Sequence, residues 1–197
     1  MTPGAATKQS AVTDGGTLFA AQCREDVYEP MVWQCVYRRA FLEENHLVMA
    51  EGLLFEDELF QATVLLKAKR AAAFELSILR YRQREGSIMG SFSKSSRWCY
   101  SYLEVCRRLS ALAKTLDDGA AKAALLKRVG QMALSVAKNI PAYRLPPEIA
   151  KEAMDFARTH QKELAGYAMH STDRLVAAQG LLLRVSVGAF IHAYQRA

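Results

Sequence analysis

Apolar positions recur at helical spacing along most of the chain, and the clearest run is Leu53 to Glu85, which contains neither Pro nor Gly. Phe60, Val64, Ala71, Phe74, Ile78 and Tyr81 fall on one stripe, and Phe55, Leu59, Ala62, Leu66, Ala73 and Leu76 on an adjoining one. Glu56, Asp57 and Glu58 at its start and Arg80, Arg82 and Arg84 at its end complement the helix dipole. The spacing predicts one helix of about 50 Å, long enough to cross a bundle and protrude from it.

The same pattern places helices on either side. Leu18 to Cys23 reads as a short helical turn, and Pro30 is well placed as the first residue of a helix running to Glu51. GSIMGSFSKSS, Gly86 to Ser96, reads as a loop. Arg97 to Leu116 and Ala120 to Asn139 form an αα-hairpin around Asp117-Asp118-Gly119, with Asp118 as the cap of the second helix. Pro141, Pro146 and Pro147 then interrupt the chain, and Glu148 to His170 makes a further helix. Ser171-Thr172-Asp173 caps the last one, which runs to Tyr194 and is the most apolar stretch present. The prediction is an all-α protein: an antiparallel bundle of five to six helices, with one long central helix, in a single domain over residues 17–197.

The last helix approaches the 20 or so residues that span a bilayer. Gln179, Arg184 and Ser186 lie in its middle, and a central Arg costs about 2.5–3.5 kcal/mol on insertion scales. A buried helix is therefore expected over 175–194. If it lies beside a membrane, Gly180, Arg184 and Gly188 share a face at four-residue spacing, where small residues permit close contact.

Composition leaves this picture intact: 51% of the 197 residues are hydrophobic and 23% charged, ordinary globular usage. Charge adds more. Residues 1–60 carry 4 Lys/Arg against 10 Asp/Glu, a net of −6, whereas residues 61–147 carry 16 against 5, a net of +11. Residues 148–197 carry 6 against 5. An acidic front and a basic middle should cancel in part within the fold, and whatever stays uncancelled would attract RNA, anionic lipid or an acidic protein.

Residues 1–16 lack an apolar core segment and contain no arginine, so they read as a flexible arm and not as a cleaved signal, and an intracellular protein is expected. Cys23, Cys35, Cys99 and Cys106 fit no zinc or haem spacing. Cys99 and Cys106 would lie about 10 Å apart on one helix, too far for a disulfide. Ordinary thiols and a Cys23–Cys35 bridge remain the alternatives.

The sharpest catalytic candidate is Glu43-x-x-His46, the spacing that in helical di-iron proteins turns a carboxylate and an imidazole toward one metal pair. Such a site needs a second copy, and Ala157, Tyr167 and Ala189 stand where it would require Glu before His160, His170 and His192. No G-x-S-x-G occurs, and Ser93, not Gly, precedes Lys94, so there is no Walker loop. No catalytic, cofactor-binding or metal-binding residue is assigned, and no cofactor is expected.

Partner-binding candidates are the cations Lys67, Lys69, Arg70, Arg80, Arg82, Arg84, Arg97, Arg107, Arg108 and Arg184. Tyr81, Phe92, Trp98 and Tyr100 are interleaved with them, as stacking surfaces for RNA would be. The expectation is a non-catalytic structural or accessory subunit of a larger assembly, with protein subunits as partners. It would dock through the long amphipathic helix, the basic central hairpin and the apolar C-terminal helix. An RNA-binding helical protein using the basic 67–128 region is the first alternative, and a ferritin-like metal-dependent enzyme the second.

Overall fold

A computed structural model describes residues 10–76 and 95–196 of the chain. It is all-helical, with no strand longer than a single bridge among the described residues. In order, the helices are α1 (Gly15–Arg24), α2 (Arg39–Glu44), α3 (Glu56–Lys67), α4 (Arg97–Lys114), α5 (Ala120–Ala142), α6 (Pro147–Thr159), α7 (Gln161–Met169), α8 (Arg174–Val185) and α9 (Val187–Arg196), with a single 3-10 turn at Val32–Gln34.

The long central helix is α5, 23 residues against the 12 of α3. Helices α1, α4, α6, α7, α8 and α9 all pack on it. Leu125, Val129, Ala133, Leu134, Val136 and Ala137 of α5 are buried among Phe19, Trp98, Leu103, Leu109, Leu164, Leu183 and Phe190. That apolar surround holds Pro141 inside the last turn of α5, where its missing N–H removes one ladder bond.

The helix expected over Leu53–Glu85 is not formed as such. Phe55 is left-handed (φ 61°) at the start of α3, and Ala68 turns extended directly after Lys67. The backbone from Ala68 onward takes its hydrogen bonds from the front of the chain: Gly15 N–H donates to Ala68 O (2.7 Å), Thr13 and Ala71 exchange bonds of 3.0 and 2.7 Å, and Ser10 N–H donates to Ala73 O (2.9 Å). Gly15 lets this happen, because a Cβ there would lie 2.1 Å from Leu65 O. The rest of that expected helix from Ser77, including Arg80, Arg82 and Arg84, and the loop up to Lys94 lie outside the described residues. So do residues 1–9 of the expected arm, while Ser10–Asp14 runs beside 68–73 and Asp14 caps α1 by accepting from Thr17 N (2.8 Å).

The helix expected over Pro30–Glu51 is reduced to the 3-10 turn and the six residues of α2. Val32, Cys35, Val36 and Tyr37 have low helix propensity. Their surroundings offer more: Tyr37 OH donates to Gln61 Oε1 (2.5 Å) and Gln61 Nε2 donates to Cys35 Sγ (3.1 Å). Val32, Tyr37, Phe41, Leu42 and Leu47 cover Phe60 and Val64 in a second, smaller core on the outer side of α3.

Two expected C-terminal helices each break once. His160 separates α6 from α7, and Ser186, with φ −160° and ψ 131°, separates α8 from α9. At the second break Gln161 Nε2 donates to the carbonyls of Leu183 (2.8 Å) and Arg184 (3.0 Å), and Ser186 Oγ accepts from Ala189 N (3.2 Å). The orphan groups of two helix ends are thereby satisfied. No described helix is long and apolar enough to cross a membrane.

Candidate docking surface

Of the basic middle of the chain, the cations between Arg97 and Arg128 are mostly engaged within the fold. Arg107 makes a two-pronged bond to Glu163 (2.8 and 2.9 Å), and Arg108 Nε donates to Glu104 (2.8 Å). Arg97, at the first position of α4, donates from Nη2 to Gly52 O (2.6 Å). Lys122 pairs with Asp118 at 2.8 Å and Lys127 with Asp173 at 3.4 Å. The Glu163 carboxyl is held below its ordinary value, chiefly by the hydrogen bonds from Arg107. Asp118 serves as that ion-pair partner, and the residue capping α5 is Gly119. Arg97, Arg107 and Arg108 thus have internal work that the sequence did not reveal.

The most deeply buried charge is Glu58. Its side chain is 8% exposed and receives Arg128 through Nε–Oε2 (3.0 Å) and a short second bond between Nη2 and Oε1. Arg128 lies over the ring of Tyr28, 5.7 Å from its centroid. Burial pulls the Arg128 guanidinium down, but the charge and hydrogen bonds of Glu58 outweigh it and leave the group raised. Cys23, Asp26, Tyr28, Ala124, Lys127, Arg128 and Gln131 line a cavity of about 20 Å³ beside the pair, room for a single water. The Tyr28 hydroxyl is buried without a hydrogen-bond partner among the described residues, and burial raises its pKa. The ion pair ties α3 to α5, and a cavity of about 20 Å³ has no room for a substrate.

Glu43 and His46 do not form the helical metal face that their spacing implies. Glu43 accepts from Arg39 Nε (2.7 Å), whereas His46 sits past the end of α2 with φ 52°. Among the described residues, no three His, Cys, Asp or Glu side chains converge as a metal site would require. All four cysteines are free, so Cys23 and Cys35 are not bridged.

Exposed surface is where the chain departs from ordinary packing. The segment between α1 and α3 displays Val27, Trp33, Val36, Val48 and Met49, with Val36 93% and Val48 82% exposed. Beside Val48 a groove of about 230 Å³ runs along α3, floored by Leu47, Leu59 and Phe60 and edged by Asn45, His46, Thr63 and Lys67. Lys67, Lys69 and Arg70 are exposed at its α3 end and form no ion pair among the described residues. Val36 and Val48 fall within the helix expected over Pro30–Glu51, and both lie outside the short helical pieces that form there.

The C-terminal candidate also changes. Gly180 faces inward, where a Cβ would lie 2.8 Å from both Ala168 Cβ and Met169 N, so its smallness serves the crossing of α7 and α8. Arg184 and Gly188 are exposed, and the three residues do not share one face.

Comparison with protein-family models, with characterised proteins and with solved structures finds no match, so the functional reading rests on the chain's own chemistry.

Proposed function

We propose that this chain is a non-catalytic accessory subunit that docks onto a protein partner through the face built by residues 27–49 and the groove along α3. The observation that carries this is the display of Val27, Trp33, Val36, Val48 and Met49 on a segment that has its own small core beneath it. An exposed apolar patch marks an interaction surface, and this segment offers five exposed apolar side chains between Val27 and Met49. Lys67 edges the groove, and Lys69 and Arg70 are exposed just after it in the chain, which favours a partner with acidic residues around an apolar anchor.

The test is the native mass of the untagged protein isolated gently from its source, with co-purifying proteins identified by mass spectrometry, for the wild type and for Val36→Asp/Val48→Asp. A mass well above 21.9 kDa that collapses in the double variant supports the reading. A wild-type monomer without protein partners defeats it.

RNA contact is the second reading, favoured by Lys67, Lys69 and Arg70, which are exposed and form no ion pair among the described residues. It requires affinity that falls steeply with salt and drops when these three are changed to Gln.

A further inference from the structure

Helix α8 is apolar on the side that the core does not reach. Val176, Gly180 and Leu183 are buried, whereas Leu175, Ala178, Leu181 and Val185 lie across the opposite face. Leu175 is 68%, Leu181 56% and Val185 79% exposed. Large apolar side chains gathered on the outer face of a helix are ordinarily covered. Something outside the described fold is expected to cover this one.

Charge identifies the covering. From Arg174 to Arg196 there is no acidic side chain. Arg174, Arg184 and Arg196 are exposed, and none pairs with a carboxylate among the described residues. The preceding acid, Asp173, is already engaged: it accepts from Leu175 N and Val176 N and pairs with Lys127. A second copy of the chain meeting this face would set arginine against arginine. The three arginines are spread along two helices and do not cluster where one acidic side chain could bridge them. A diffuse positive field around an apolar stripe is complementary to a continuous anionic plane, into which leucine and valine insert while arginine stems reach up to the headgroups.

We propose that the outer face of α8, with the arginines of α8 and α9, seats the protein on an anionic lipid surface. This surface is carried by elements other than those of the protein-docking face proposed above, and it stands independently of that reading. At 12 residues α8 is about 18 Å long, so it lies in the headgroup region and does not cross.

The experiment is co-sedimentation of the full-length protein with vesicles of one part phosphatidylserine to two of phosphatidylcholine, against pure phosphatidylcholine, at low and high salt. Three doubles are compared with wild type: Leu181→Ser/Val185→Ser, Arg174→Gln/Arg184→Gln and, as a surface control, Val36→Asp/Val48→Asp. All these side chains are exposed, so an unchanged far-UV spectrum and melting curve are expected. Binding should require the anionic lipid and weaken with salt. It should fall about 25-fold in the arginine double, about fivefold per residue near such a surface. The apolar double should lose about tenfold or more, and the control should bind as wild type. Failure of the wild type to sediment with the anionic vesicles overturns the proposal and gives the face to a protein. So does binding untouched by the apolar double, which would be adsorption by charge alone. A wild-type dimer that the apolar double converts to monomer, without vesicle binding in either, assigns the face to a second copy and overturns it equally.

Discussion

Replacing Arg128 tests the internal cluster most directly. Arg128→Met keeps the stem and removes the charge, leaving the Glu58 carboxylate, whose residue is only 6% exposed, without its partner. Breaking a buried pair from one side costs roughly 3–5 kcal/mol. Because the Arg128 side chain is 28% exposed, water reaches the site and the lower end, about 3 kcal/mol, is expected. Loss of the contact over Tyr28 adds about 0.5–1 kcal/mol. Glu58→Leu alone leaves an arginine that can turn to solvent, and should cost less, about 2 kcal/mol. The double Glu58→Leu/Arg128→Met removes both charges and should be no worse than either single change, a coupling of at least about 3 kcal/mol. Urea unfolding followed by the fluorescence of fully buried Trp98 gives these values. A cost under about 1 kcal/mol for Arg128→Met, or single costs that add within about 0.5 kcal/mol, would refute the reasoning.

Three further outcomes are expected. Gly180→Ala should destabilise by about 1–3 kcal/mol, because the new methyl meets the backbone of Met169. Gly166→Ala, with nothing within 4 Å, should stabilise by about 0.5–1 kcal/mol; equal effects in thermal melts would remove the close α7–α8 crossing. In native protein a maleimide should label Cys35 first, since it is half-buried while Cys23, Cys99 and Cys106 are buried and burial lifts the thiols of Cys23 and Cys99 to about 11 and about 12; mass spectrometry showing rapid labelling at any of the other three contradicts this. Glu163 and Asp173 are held below their ordinary 4.5 and 3.8 by the Arg107 hydrogen bonds and by the backbone of Val176, respectively. Their stabilisation is therefore full above about pH 4.5 and lost as pH falls further, with Asp57, raised by burial, opposing. A urea midpoint that climbs between about pH 5 and about pH 3 would contradict it.

Local chemistry was legible. Periodicity located the starts of α4 and α5, and capping located Asp173. Breaks without Gly or Pro were not. Ser186 ends α8 because Gln161, 22 residues before Leu183, takes up its carbonyls. Ala68 ends α3 because Thr13 and Ser10 offer backbone bonds that a longer helix would forgo. The long central helix was foreseen but assigned to the wrong segment, since α5 is rich in Ala and shows less contrast than Leu53–Glu85. For the site, charge counts located cations and could not tell spent ones from free ones: the partner of Arg107 lies 56 residues away and that of Arg128 lies 70 away. The outer face of α8 was in plain sight as apolar residues. Only the inward direction of Gly180 shows which of them are left over.

Ribosomal synthesis meets the span between Glu58 and Arg128 as a delay. Glu58 is made 70 residues ahead of its partner, an interval of about 4–14 s at ordinary translation rates. Helix α1 waits as well, because it packs on α5 as well as on α3. During that time the nascent chain carries Phe19 and the α3 core uncovered and Glu58 unpaired, so the first third of the protein completes its fold only after α5 has emerged. Chaperone attention during synthesis should therefore fall on the N-terminal segment, and a premature stop before Arg128 should yield an insoluble fragment rather than a smaller folded one.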